Sequence, residues 1–404
     1  MWRIAALSVC LCFAGVARAD NFLVLPFFNL SKDASLNWIG DSIAEAVRES
    51  LASEGLVALD RADRGEAYQR LSIRPYALLT KATVLRIGES LDAEQVIYGQ
   101  FDLAPPVNTP AEASAVSPAV KTRGSLRITT YILDRKHIRQ GPEFGAVGAL
   151  EDLATLQRHV AWQALQFVAP KSAPSEAEFI RRHPAVRVDA IESYIRGLLA
   201  AKPEDKHRLF TQAVRLESRY SQPCFELGRF YLRKNEYKLA AEWFQRVSTE
   251  DVHYREATFM LGLCRYNTGD FAGSQAAFQI VAGMMPLNEV YNNLGAAQSR
   301  RNLPEAVDSF RKAVEGDEAD PAYHFNIGYA LWKQGKFAPA ALSFRAVLER
   351  KPDDADAKLL LDRCQNQSTS RAGETRLEGL ERLKTNYEES AWLQLKAALQ
   401  PLQE

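Results

Sequence analysis

Apolar positions change their spacing twice along the chain. Residues 21–28 (NFLVLPFF) form a short continuous apolar run of the kind a buried strand carries. Ile39, Ile43, Val47 and Leu51 then recur at steps of four, which predicts a helix within 31–55 that Gly55 ends. Residues 56–60 predict the next strand. Thr80 is placed to cap a helix carrying Val84, Ile87 and Leu91, after which 95–103 and 125–135 predict strands and 150–168 a helix. Strands alternating with helices predict a small α/β sandwich over residues 20–169.

Beyond residue 190 the spacing lengthens into a repeat. Gly228, Gly262, Gly295 and Gly328 stand 34, 33 and 33 residues apart, and each is followed 15 or 16 residues later by Phe244, Phe278, Phe310 or Phe344. A glycine in one helix lets a second helix lie close, and the phenylalanine fills the gap between them. Seven residues after each glycine comes Asn235, Gly269, Asn302 or Gly335, residue types that tolerate the left-handed backbone ending a helix. Tyr237, Phe271, Leu303 and Phe337 then open the second helix, the third unit having lost one residue in the turn. Pro286 and Pro352 close the second helices, and Pro321 does so at a longer distance. An earlier unit with Tyr194, Gly197, Phe210, Ala213 and Tyr220 follows the same order, with only 13 residues from glycine to phenylalanine. One hairpin cannot bury its apolar stripe alone, so the units must stack.

These positions resemble the tetratricopeptide repeat, whose Leu-Gly, Ala, Phe, Ala and Pro landmarks recur over about 34 residues. The resemblance covers residues 190–364 as four clear repeats and one degenerate one. It implies an all-α solenoid that binds proteins or peptides and carries no chemistry of its own.

The amino-terminal region has its own resemblance. Val24-Leu25-Pro26-Phe27-Phe28-Asn29-Leu30-Ser31, the helix start Gly40-Asp41-Ser42-Ile43, Val96-Ile97-Tyr98-Gly99 and Leu126-Arg127-Ile128-Thr129 are together similar to the TolB-like amino-terminal domain of bacterial envelope proteins. No propeller follows, so the resemblance implies an envelope-associated adaptor module. It departs from that family at 104–121, where Pro105, Pro106, Pro110 and Pro118 interrupt two strands usually joined by a short turn. Those prolines and the lack of apolar–polar alternation exclude barrel strands, leaving a surface loop or a tether for a partner. A linker over 170–189 joins the two regions.

Residues 1–19 read as a secretory signal: Arg3, an uncharged run from Ile4 to Ala17, and Ala17-Arg18-Ala19 as the cleavage site. The expected mature chain begins at Asp20 and is exported to the periplasm, with no transmembrane segment left after cleavage. An uncleaved anchor in a secretion or motility complex is the alternative. Without Arg3 and Arg18, 48 basic residues face 50 acidic ones, so nothing points to nucleic acid. Cys224, Cys264 and Cys364 lie in or beside repeat helices and read as small buried groups, with a Cys224–Cys264 bridge as the alternative.

Catalytic signals are missing. The chain has no G-x-x-x-x-G-K-S/T, G-x-G-x-x-G, H-E-x-x-H or G-x-S-x-G, and its six histidines are scattered. No catalytic residue, cofactor or metal is expected. A regulatory subunit binding a small molecule or cell-wall fragment through the α/β domain is the reading from a different class.

First helices of such a solenoid line its concave face. The matching positions are Phe225, Arg229 and Arg233 in the first clear repeat, and Phe259, Tyr266 and Asn267 in the second. Asn292 and Arg300 come from the third, with Phe325, Tyr329, Trp332 and Lys333 from the fourth. Aromatic rings mixed with cations predict an acidic or carboxylate-bearing peptide partner. The better-known carboxylate clamp wants Asn just after the repeat glycine, where this chain has Arg229, Leu263, Ala296 and Tyr329.

Residues 365–404 read as a polar stretch and then a helix whose Leu377, Leu380, Leu383, Tyr387, Ala391, Leu395 and Ala398 form one stripe. That helix is expected to cap the solenoid, or to pair two chains. Taken together, the sequence predicts a non-enzymatic scaffold of the bacterial cell envelope.

Overall fold

The structure is a computed structural model that describes residues 21–31, 33–104, 124–369, 374–388 and 392. The leader and almost all of the 104–121 loop lie outside the described residues, as do most positions after 388.

Strand β1 (Asn21–Val24) runs parallel to the neighbouring β3 (Val57–Ala58) and β4 (Gln95–Ala104), while β2 (Phe28–Asn29) pairs farther along β4. Antiparallel β5 (Ser125–Asp134) follows, bearing β6 (Arg139–Gln140) and β7 (Phe144–Ala149) on its other side. Alternation along β1 divides the core. Phe22 and Val24 face helices α1 (Asn37–Ser53) and α4 (Leu153–Val168), whereas Leu23 and Leu25 face α2 (Arg61–Arg70) and α3 (Lys81–Ser90). The result is a three-layer α/β sandwich.

Two of these elements are not evident from apolar spacing. Helix α2 buries only Arg64 and Ala67, so it has no stripe, and a reciprocal capping box between Asp60 and Asp63 starts it. Strand β7 is glycine- and alanine-rich, a composition that disfavours strand on propensity, and β5 recruits it by pairing. Thr80 caps α3 as expected, accepting from the Thr83 N–H at 3.2 Å.

Residues 170–189 are more than a linker. They hold α5 (Glu176–Arg182), whose Phe179 is fully buried, and Arg158 of α4 donates to the His183 carbonyl at 2.7 Å. Helices α6 (Val188–Leu199) and α7 (Pro203–Leu216) form the degenerate hairpin. Then come α8 (Ser221–Arg233) with α9 (Tyr237–Phe244), α10 (Tyr254–Asn267) with α11 (Phe271–Met284), and α12 (Asn288–Arg300) with α13 (Ala306–Gly316). The last pair, α14 (Pro321–Lys333) and α15 (Phe337–Arg350), is followed by a single helix, α16 (Ala355–Gln365).

Each glycine–phenylalanine pair is a helix–helix contact. A methyl group on Gly228 would lie 2.6 Å from the Phe244 ring, and on Gly328 2.9 Å from Phe344. The degenerate unit makes the same contact between Gly197 and Phe210, so its shorter spacing removes turn residues and not the packing. Asn235, Gly269, Asn302 and Gly335 all have positive φ at the hairpin turns. In the third unit the second helix begins at Ala306 and not at Leu303, because Leu303 closes the turn on the Gln298 carbonyl and Pro304 follows.

The α/β domain and the solenoid share one apolar core that runs from Phe22 to Cys264. Helix α1 packs on α6, where Tyr194 sits against Phe210 and Tyr220. Cys224, Cys264 and Cys364 are buried and free, and burial pushes their thiols up to about 11, 12 and 11. Among the described residues no helix is long and apolar enough to cross a membrane.

A candidate groove for extended polypeptide

Residues 374–388 do not form the expected capping helix. Apart from one 3-10 turn at Thr375–Leu377 they are extended, and they lie along the inner face of α10, α12, α14 and α16. Gly379, at φ +69°, breaks any helical path after Leu377. The segment runs antiparallel to α14: Leu377 is near Tyr329, Arg382 near Asn326, and Lys384 near Asp320. Positions 391, 395 and 398 of the expected stripe lie outside the described residues.

Three asparagines grip the main chain of this segment. Asn326 Oδ1 accepts from the Arg382 N–H at 2.8 Å, and its Nδ2 donates to the Arg382 carbonyl at 2.9 Å. Two residues on, Asn293 repeats the grip on Lys384, with 2.8 Å to the N–H and 2.7 Å from Nδ2 to the carbonyl. Asn292 adds a bond to the Arg382 carbonyl at 2.8 Å and accepts from Asn326 at 2.7 Å. A carboxamide offers one acceptor beside one donor, the same pair a neighbouring strand would present, so it satisfies both backbone groups of a residue at once. All three asparagines are fully buried.

Side chains of the segment meet a groove of mixed charge. Glu381 accepts from Ser299 Oγ at 2.7 Å and Tyr266 OH at 3.3 Å, with Lys333 Nζ at 3.6 Å. Arg382 pairs with Asp354 at 2.8 Å and lies over the Phe325 ring at 3.5 Å, while Lys384 pairs with Asp320. Burial works to raise the Asp354 pKa, but the Arg382 hydrogen bond and the Ala357 N–H hold it below the usual range. Burial lowers the Lys333 ammonium against the opposing pull of Glu381, and burial next to Glu381 pushes Tyr329 up to about 12. Leu377 is buried, Leu380 and Leu383 are partly buried against the apolar clusters of the solenoid, and Tyr387 meets Phe259 edge-on at 4.8 Å.

Of the residues expected in the groove, Phe259, Tyr266, Asn292, Phe325, Tyr329 and Lys333 touch this segment. Arg300 lies beside Gly379 and over Phe271, and the Trp332 indole donates to the Ser368 carbonyl at 2.9 Å. The others are elsewhere. Asn267 bonds within its own helix to Leu263, Phe225 stacks on His253 at 4.4 Å, Arg229 pairs with Glu226, and Arg233 is exposed at the end of α8. Arginines 229 and 233 therefore meet no carboxylate of the segment. Asn293, Asn326, Ser299, Asp320 and Asp354 were not anticipated. Asn293 and Asn326 share one repeat position, two before the glycine, and an uncharged amide recurring there was the available signal.

A second concavity, of about 640 Å³, lies where the domain meets the solenoid, between α1, α6 and the turn before α10. Glu49 lines it, accepting from Gln222 at 3.0 Å and Tyr194 at 3.5 Å with His253 at 3.7 Å. A smaller one of about 310 Å³ lies beside Pro26 and Tyr98, just after the end of β1. Among the described residues no cluster is suited to a metal ion.

Residues 296–355 match the family model described as a tetratricopeptide repeat. Those residues are tetratricopeptide repeat, and the other helical hairpins share their glycine–phenylalanine packing. The chain is similar to the crystal structure of YrrB, described as a TPR protein with an unusual peptide-binding site. That likeness is at 18% identity over 44% of this chain and 92% of that one, with a TM-score of 0.40. MamA 41-end from Desulfovibrio magneticus RS-1 is 20% identical over 42% of this chain and 99% of its own, at a TM-score of 0.37. The Cut9–Hcn1 hetero-tetramer structure matches at 16% identity over 53% of this chain and 41% of that one, at 0.33. No curated protein matches the sequence.

Proposed function

We propose that this chain is a non-enzymatic scaffold of the bacterial cell envelope that holds an extended segment of a partner protein against the inner face of its repeats. One observation carries the reading: Asn293 and Asn326 each bond both backbone groups of one residue in an extended polypeptide, two residues apart. Such a grip has no use for a small metabolite. It fits a main chain, whatever its side chains.

Placement in the envelope rests on other grounds. The leader at residues 1–19 supports export, and the TolB-like pattern of 21–169 supports an adaptor of the periplasm. The shared core supports a fixed arrangement in which the α/β domain positions the groove.

The test is photocrosslinking in cells from a reactive residue placed at Phe259, compared between the unaltered chain and one with Asn292, Asn293 and Asn326 all replaced by Ala. Loss of the crosslinked partner with retained helicity is the expected result. An identical crosslinking pattern in the triple variant overturns the groove as the binding site. Mass spectrometry of the mature protein should give Asp20 as its first residue, and a retained Met1 overturns export by cleavage.

A further inference from the structure

We propose that residues 374–388 are a built-in ligand that keeps the groove closed, and that an entering partner presents the same pattern: a glutamate followed by basic residues at the two amide-gripped positions, among leucines. The inference rests on the peptide-binding reading above and deepens it by naming the class of partner segment.

Three observations point to it. First, residues 381–384 fit at both levels, since the main chain of 382 and 384 is paired by asparagine while Glu381, Arg382 and Lys384 each find an opposite charge. A stretch of tail resting by accident on a groove would not have all three charges of 381–384 matched beside two gripped peptide units. Second, the charges fix a register. Lys333 faces position 381, Asp354 faces 382 and Asp320 faces 384, so a purely acidic segment is repelled at the two gripped positions. The partner is thus of mixed charge, a departure from the acidic peptide that the arginines of the first helices suggest. Third, the segment is tethered close to the site, because Ser368 is held by Trp332 and Glu374 by Arg363 at 2.5 Å. A tethered ligand competes at high effective concentration, so a free segment must displace it.

The test uses the full chain and a fluorescein-labelled peptide with the sequence of residues 374–388. In one variant the tail carries Glu381→Lys and Arg382→Glu together, which sets Lys against Lys333 and Glu against Asp354. A milder variant carries Arg382→Ala. Fluorescence anisotropy should show both variants binding the peptide more tightly than the unaltered chain, the double one by at least about tenfold, as expected when a competing state is removed. Adding Asn326→Ala to the double variant should abolish that binding. Equal affinity for altered and unaltered chains, or binding by neither, overturns the inference. If the peptide fails while crosslinking in cells still depends on the asparagines, the inference falls and the scaffold reading stands.

Discussion

At its amino end the solenoid is covered by α1, and in its carboxyl half the inner face is covered by the chain's own residues 374–388. The first cover is a core: Tyr194 is buried among Phe210 and Tyr220, and apolar contact continues into the sheet. The second is a set of polar grips, where buried asparagines hold backbone and three charged side chains find partners. Apolar burial of this extent is lost only when the fold is lost, whereas hydrogen bonds to a main chain can be remade by any other main chain. The amino cover is architecture. The carboxyl cover is exchangeable.

That contrast can be broken at several points. The largest effect is expected at the amino junction, where Tyr194→Ala removes a buried ring and should destabilise the whole chain by about 3–5 kcal/mol in chemical denaturation. The domain and the solenoid, unfolding together in the unaltered chain, should then unfold in separate steps; separate steps already in the unaltered chain would mean that the shared core does not couple them.

A smaller effect is expected from pH, again at that junction. Burial raises Asp251 to about 6, with His253 opposing and Glu49 adding. Burial pulls His253 down, but Glu49 and Asp251 more than offset it, leaving the imidazole raised. Both groups hold protons more tightly in the folded chain than in the unfolded one. The contribution of Asp251 is therefore full below the ordinary carboxylate value of 3.8 and fades as pH climbs through about 6, whereas that of His253 is full below 6.5 and fades only at higher pH. Stability should fall by on the order of 2 kcal/mol between the two Asp251 limits, and Asp251→Asn should flatten that fall. A rise over the same window would contradict the assignment.

The smallest effect concerns the tail. Raising salt from about 0.1 M to about 1 M should weaken Arg382–Asp354 and Lys384–Asp320 by about 0.5–1 kcal/mol each. Faster amide exchange at 382 and 384, with no change in the core of α14, is the expected readout. Equal acceleration in both places would show the tail to be part of the core.

Much of the solenoid was legible because a few positions carry it. Gly228, Gly262, Gly295 and Gly328 with their phenylalanines mark the helix contacts, and the residues seven later mark the turns. The continuous apolar run of β1 and the four-step stripe of α1 were equally plain, while α2 and β7 were hidden because neither has an apolar period of its own. The tail misled for a physical reason. Leu377, Leu380 and Leu383 at three-residue steps are the mark of a helix stripe, yet Gly379 and the amides of α12 and α14 pull the backbone straight. Half of the groove was therefore read from its rings and cations, while its asparagines and acids went unseen, since a buried amide shows its purpose only beside the chain it holds.

The paired carboxamides also separate purchase from choice. Because they hold peptide units and ignore what those units carry, changing Lys333, Asp320 or Asp354 alone would redirect the groove to a different client while its hold on the main chain persisted. A scaffold built this way could acquire new associates through a few surface charges, leaving its helices untouched.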